Sequence, residues 1–256
     1  MSLACQIHST NETGKPWLVF LHGLLGSGED WQPVLPYCQQ WPCMTIDLPG
    51  HGDSVSQITP NFEDTCVQLR ETLQQQGIER YWLIGYSLGS RIAMYFASQG
   101  GNSGLQGVII EGGHPGLTEE AEREARLNHD SLWAERFRAF PLGDTLEQWY
   151  QQPVFADLTA QQRQTLVALR GRNSGKAIAS MLMATSLSKQ PFLWPILQKT
   201  ALPLVWLCGE HDNKFQQLAQ HFALPLRSIA NAGHNAHRAN PAGFASQLIS
   251  FISSPR

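Results

Sequence analysis

"LIGYSLGSR", residues 83–91, sets a serine between two glycines, directly after a short apolar run and before a helical stretch. Strand, Gly85-Tyr86-Ser87-Leu88-Gly89, helix is the pattern G-x-S-x-G in the context that gives it meaning. Such a turn exposes a hydroxyl at the carboxyl end of a strand. The glycines are required because the turn is crowded and strains the backbone of the serine. A lone serine in a glycine-rich turn is common, so the reading depends on what else the chain offers.

It offers three companions. "HGLLGS" (22–27) follows the apolar run "WLVFL" (17–21), where a backbone N–H can join that of Leu88 in an oxyanion hole. "GEHD" (209–212) ends the run "LVWLCG" (204–209) and supplies Asp212, and "NAGHNAH" (231–237) follows the last run and supplies His234. Serine, then acid, then histidine is the chain order of the α/β-hydrolase triad. Asp47 and Asp53 are rival acids, but Asp47 precedes the serine and breaks that order. His22 and His51, both beside glycines, suit loop ordering better than chemistry. His234 and His237 have H-x-x-H spacing, but no third ligand or glutamate accompanies them, so no metal is expected.

Working outward, "CMTIDL" (43–48), "YWLIGY" (81–86), "GVIIEG" (107–112) and "LRSIAN" (226–231) complete the set of short strands. Nearly continuous apolar runs are what parallel strands covered on both faces require. "NFEDTCVQLRETLQQQ" (61–76) reads as an amphipathic helix, with Phe62, Val67, Leu69 and Leu73 placed toward the core. Strands alternating with helices predict an α/β fold with a mostly parallel central sheet and helices on both faces. From 114 to 190 the rhythm breaks: stretches 119–140, 159–170 and 175–187 read as helix, with no strand between them. This is the pattern of a helical lid inserted between core segments 1–113 and 191–256, at the strand ends where ligands bind.

Composition bounds the function. The chain has 256 residues, 42% hydrophobic and 15% charged, with a net charge of −3, so nothing suggests a nucleic-acid partner. Five scattered cysteines (5, 38, 43, 66, 208) form no disulfide framework or zinc spacing and fit a reducing compartment. "MSLACQIHST" turns polar too soon for a signal peptide, and no apolar run approaches the roughly 20 residues of a membrane span. The expectation is a soluble, cytoplasmic enzyme without cofactor, acting on a small molecule, with a monomer as the default state.

Arg91 is the unusual feature. It falls in the first turn of the helix that Ser87 opens, where a cation opposes the helix dipole at a cost of about 0.3–1 kcal/mol. Either it lies along the surface, or its planar fork clamps a substrate carboxylate. Arg126 and Arg170, on helices of the insert, admit the same two readings. Trp149, in "WYQQPVF" (149–155), reads first as packing.

"GYSLGSR", "EGGHPGL" (111–117), "WYQQPVF", "LVALR" (166–170) and "AGHNAHRANP" (232–241) together resemble the 2-succinyl-6-hydroxy-2,4-cyclohexadiene-1-carboxylate synthases of menaquinone biosynthesis, over essentially the whole chain. One departure is Ser90, where that family usually has glycine. The resemblance implies a lyase that eliminates pyruvate from an enolpyruvyl cyclohexene bearing a succinyl chain. It implies that Ser87, activated by His234 and oriented by Asp212, removes a ring proton. The enolate oxygen would rest on the N–H groups of Leu24 and Leu88, and Tyr86, Arg91, Arg126, Trp149 and Arg170 would line the anionic substrate's site. A serine esterase or thioesterase acting on a small carboxylated ester is the alternative. A binding protein without catalysis has no use for an intact triad.

Overall fold

The computed structural model describes residues 2–8 and 14–254. Its strands are β1 (Cys5–Ile7), β2 (Trp17–Leu21), β3 (Cys43–Ile46), β4 (Tyr81–Tyr86), β5 (Leu105–Glu111), β6 (Leu204–Gly209) and β7 (Leu226–Ile229). They form one sheet in the order β1-β3-β2-β4-β5-β6-β7, parallel throughout except for β1 at the edge. The helices are α1 (Phe62–Gln75), α2 (Leu88–Ser98), α3 (Glu120–Ala139), α4 (Leu142–Trp149), α5 (Ala160–Arg170), α6 (Gly175–Ala184), α7 (Trp194–Leu197), α8 (Asn213–His221), α9 (Ala236–Ala239) and α10 (Pro241–Ile252).

The continuous apolar runs have a direct explanation. Val19, Leu83, Val108 and Ile110 point into one core with Leu69 of α1 and Ile92 and Phe96 of α2. Leu18, Phe20, Trp82, Ile84 and Ile109 point into the other with Trp31 and with Phe244 and Leu248 of α10. Alternate residues thus feed opposite cores, and neither face is left for polar side chains. Among the described residues no helix is long and apolar enough to cross a membrane.

Three details differ from the sequence reading. Strand β1 was not expected: at three residues, with Gln6 and Ile7 exposed, it carries no periodic signal. On α1 Val67 is 41% exposed, and Cys66 takes the core position in line with Phe62, Leu69 and Leu73. Within 114–190, α4 appears as a further helix before "WYQQPVF". The helices α3 to α6 have a core of their own, in which Trp133, Phe137, Leu146, Tyr150, Leu166 and Ile178 pack together and meet Leu25 of the "HGLLGS" loop.

The turn between β4 and α2 is tight. Ser87 has φ +50° and ψ −105°, a conformation costing about 1–3 kcal/mol that only its surroundings can maintain. A methyl group on Gly89 would collide with the backbone carbonyl of Leu21, and one on Gly85 with the backbone of Gly89. The absent side chains let α2 start directly against β2 and β4. Gly89→Ala should therefore lower stability by about 1–3 kcal/mol through forced displacement. Gly143→Ala, in α4 where a methyl meets nothing within 4 Å, should raise it by about 0.5–1 kcal/mol. Urea denaturation reads both, and a tolerated methyl at Gly89 would show that close approach does not govern this turn.

Candidate active site

Ser87, Asp212 and His234 follow β4, β6 and β7 respectively, so the parallel sheet delivers all three to its carboxyl edge. Asp212 caps α8, its Oδ1 accepting the N–H of Phe215, while its Oδ2 lies 2.7 Å from His234 Nδ1. A carboxylate only accepts, so Nδ1 carries the proton and the Nε2 lone pair is left free. The imidazole is stacked on Phe215 at 5.0 Å and tilted against Tyr86 at 5.4 Å. It also fills the space over Gly112, where a methyl group would come within 2.7 Å of Cε1. The N–H of Ser87 donates to the carbonyl of Glu111, next to that glycine, at 2.8 Å. The serine and histidine segments thus meet at the end of β5.

The "HGLLGS" loop, which carries Leu24, reaches the same place. Gly23 lies so close to the Tyr86 ring and Ser87 Cβ that a side chain there would come within 2.7 Å of the ring and 3.5 Å of the serine. Two buried histidines hold this loop. His22 Nε2 accepts the Leu48 N–H at 2.9 Å while its Nδ1–H donates to Gly23. His51 Nε2 accepts the Leu25 N–H at 3.0 Å while its Nδ1–H donates to Pro49. Each ring is one donor and one acceptor, which only the neutral form provides. Burial accordingly pushes His22 down to about 4 and His51 down to about 3, the charge of His22 adding to the second effect.

Arg170 is buried against a carboxylate. Its Nη2 lies 2.7 Å from both oxygens of Asp30, a residue that the sequence reading did not single out, and Arg238 Nη1 adds a bond at 3.0 Å. Burial alone would raise the Asp30 carboxyl, but Arg170, His237 and Arg238 outweigh it, so its pKa falls below the ordinary value. This cluster joins the lid, the segment following the "HGLLGS" loop and the histidine turn. Arg170 also hydrogen-bonds Tyr150, and its buried Nε–H has no partner.

The other cations have different partners. Arg91 is buried, with Nε donating to Gln190 Oε1 at 2.8 Å, Nη2 to the Thr185 carbonyl, and its guanidinium over Phe62 at 5.3 Å. The surface reading is thereby excluded. Burial, then the charge of Arg126, pushes its pKa down to about 9. Arg126 is part-exposed and pairs with Asp130 at 2.9 Å. Two further residues, missed in the sequence, complete the group: His114, three positions beyond Glu111, and Lys214, two beyond Asp212. Burial, then Lys214, Arg91 and Arg126, pushes His114 down to about 3, while Lys214 is lowered by lost solvation and by Arg126. Spacing gave no signal for this coupling, because its members come from three helices and the loop after β5.

The remaining candidates are readily placed. Trp149 packs edge-on to Trp133 at 4.9 Å and beside Phe137 at 5.5 Å, within the lid core. The Tyr86 hydroxyl donates to Asn235 Oδ1. Asp47 accepts the N–H groups of Gly28 and Asp53. His234 and His237 turn to different carboxylates, and among the described residues no group of three or more His, Cys, Asp or Glu could hold a metal. Ser90 donates to the carbonyls of Gly85 and Glu111, at 2.6 and 2.9 Å. A cavity of about 270 Å³ opens beside the dyad, lined by Val154, Asp157, Asp212, Lys214 and His234. A larger one, about 730 Å³, lies between the "HGLLGS" loop and residues 172–174 and touches neither Ser87 nor His234.

The neutral histidines make stability pH-dependent. Below 6.5 the unfolded chain takes up protons at His22 and His51 that the folded chain refuses until about 4 and 3. Stability should therefore fall with decreasing pH across this window, by about 1.4 kcal/mol per pH unit for each histidine. His51→Gln, which can still accept the Leu25 N–H, should reduce that slope in urea titrations. An unchanged slope would exclude His51 as a source. Arg170→Met should lower stability by about 3 kcal/mol near neutral pH, since Asp30 loses one of two guanidinium partners in a buried setting.

The α/β hydrolase fold family model matches residues 16–241. The 2-succinyl-6-hydroxy-2,4-cyclohexadiene-1-carboxylate synthase of Serratia proteamaculans is 55% identical over 99% of each chain. That of Yersinia enterocolitica is 55% identical over 99% of this chain and 94% of its own. The solved structure of MenH from S. aureus superposes with a TM-score of 0.89 at 27% identity, covering 98% of both chains. An enol-lactonase from Burkholderia xenovorans LB400, 18% identical with a TM-score of 0.80, shares the fold. The chain belongs to the α/β-hydrolase fold family and, within it, to the 2-succinyl-6-hydroxy-2,4-cyclohexadiene-1-carboxylate synthases.

Proposed function

We propose that this enzyme eliminates pyruvate from 2-succinyl-5-enolpyruvyl-6-hydroxy-3-cyclohexene-1-carboxylate, leaving 2-succinyl-6-hydroxy-2,4-cyclohexadiene-1-carboxylate, with Ser87 as a base. The observation that carries the reading is the Asp212–His234 dyad opening with Lys214 onto one cavity, within the field of Arg91 and Arg126. An esterase for neutral esters has no use for such a field, whereas a substrate with three carboxylates requires it.

In this reading His234 Nε2 takes the Ser87 hydroxyl proton as the serine oxygen takes the ring proton beside the succinyl ketone. The released electron pair moves onto the ketone oxygen, held by the N–H groups of Leu24 and Leu88. It then returns through the ring and breaks the carbon–oxygen bond to the enolpyruvyl group. The imidazolium proton passes to the departing pyruvate, so serine and histidine end as they began. Asp212 holds Nδ1–H throughout and keeps Nε2 available. Tyr86, Arg91, Arg126 and Trp149 line the substrate, and Arg170 retains its unpartnered Nε–H for a carboxylate oxygen. Residues 114–190 act as the lid over core segments 1–113 and 191–256.

The test is to supply the enolpyruvyl substrate and follow pyruvate release together with diene absorbance. Ser87→Ala, His234→Ala and Asp212→Asn should each lower kcat by on the order of 10²-fold or more, with combinations far from additive. Near-normal turnover by folded Ser87→Ala would remove the serine from the mechanism. Arg126→Ala should mainly raise KM, because a carboxylate contact away from the reacting carbon holds substrate and transition state alike. Mass spectrometry of enzyme quenched during turnover should show the unmodified chain. An acyl group on Ser87 would return the protein to the esterases.

A further inference from the structure

The turn that carries His234 is held at four of five consecutive positions, each by a different part of the chain. Asp212 after β6 takes His234, Tyr86 at the end of β4 takes Asn235, Glu111 at the end of β5 takes His237, and Asp30 takes Arg238. Three of these anchors belong to the triad, the substrate wall or the lid contact. Glu111 and His237 have no such assignment.

Their arrangement is specific. Both side chains are 1% exposed. Glu111 Oε1 accepts the His237 backbone N–H at 3.0 Å and its Nδ1–H at 2.9 Å. The imidazole lies between Trp31 at 4.5 Å and Tyr86 at 4.7 Å, with its Nε2 unpartnered, so the ring's polar contact is to the carboxylate. A buried pair of this kind contributes little net stability compared with apolar residues of similar volume. Stability alone therefore does not account for it.

Position does. The backbone carbonyl of the same Glu111 accepts the Ser87 N–H at 2.8 Å and the Ser90 hydroxyl at 2.9 Å. One residue thus grips the serine turn through its main chain and the histidine turn through its side chain. We propose that Glu111 and His237 are positioning residues that hold the His234 turn in register with the Ser87 turn. The pair touches no substrate. Its effect is to keep the serine–histidine separation short enough for proton transfer, a distance on which rate depends steeply.

This inference rests on Ser87 and His234 acting as one proton-transfer unit, so Ser87→Ala is measured alongside. Glu111→Gln and His237→Gln should each lower kcat by about 10- to 100-fold. KM should stay within about twofold, since neither residue meets the substrate. The double variant should be no worse than the poorer single, because the two act as a pair. Unchanged kcat per folded molecule, additive losses, or a loss confined to conditions where the variants begin to unfold would overturn the inference. The unaltered enzyme supplies a second test: ¹⁵N-histidine NMR should find both His234 and His237 protonated on Nδ1. A proton on His237 Nε2 instead would break the pair. If Ser87→Ala itself turns over normally, the proton-transfer reading fails. If Ser87→Ala is inactive while Glu111→Gln is normal, only the positioning inference fails.

Discussion

The crowding of backbone around Ser87 is the constraint on which the rest of this structure depends. Helix α2 begins against β2 and β4 with no room for a methyl group at Gly85 or Gly89. Ser87, the residue that precedes it, is held at a positive φ that serine adopts only under compulsion. The compulsion comes from the Glu111 carbonyl on one side and the Gly23 turn on the other. Strands β2, β4 and β5 therefore have to lie in register before the serine can be presented. The serine turn is a consequence of the sheet.

Around that turn, charge is handled in two opposite ways. Near the "HGLLGS" loop it is suppressed: His22 and His51 each accept a backbone N–H, which only a neutral imidazole can do. A charged ring there would have to release the loop that carries Leu24. Beneath the lid charge is retained but neutralised, since Asp30 meets Arg170 and Arg238 in a buried cluster that ties three segments together. Toward His114 it is left in excess. Burial and the charge of Arg126 lower the proton affinity of both Arg91 and Lys214, while Asp130 pairs with Arg126 and Asp212 with His234. Cations with little solvent around them are stabilised by an anionic ligand, so one fold can serve different chemistries by changing the charge around a shared turn.

The fold was legible in the amino-acid sequence because its signals are local. Apolar runs of five or six residues identify strands covered on both faces, and the glycines around Ser87 identify the strained turn before any contact is known. The order Ser87, Asp212, His234 follows from the same strand ends. Edge strand β1 was not legible, since three residues carry no period, and Val67 was misplaced because Cys66 fits the helical stripe equally well.

The partnerships were decided only by tertiary structure. Arg170 and Asp30 are 140 positions apart and Glu111 and His237 are 126 apart, so no spacing rule connects them. Arg91 could be read as a surface residue or a clamp until Gln190 and Thr185 were seen to enclose it. Lys214 stands two residues from Asp212, yet the charge of Arg126, 88 positions earlier in the chain, acts on it only in the folded protein. Chain chemistry by itself determined which residues sit at strand ends, through burial and backbone geometry. Which of those residues touch was settled by packing, because burial compels each charged group to find whatever partner the fold brings within reach.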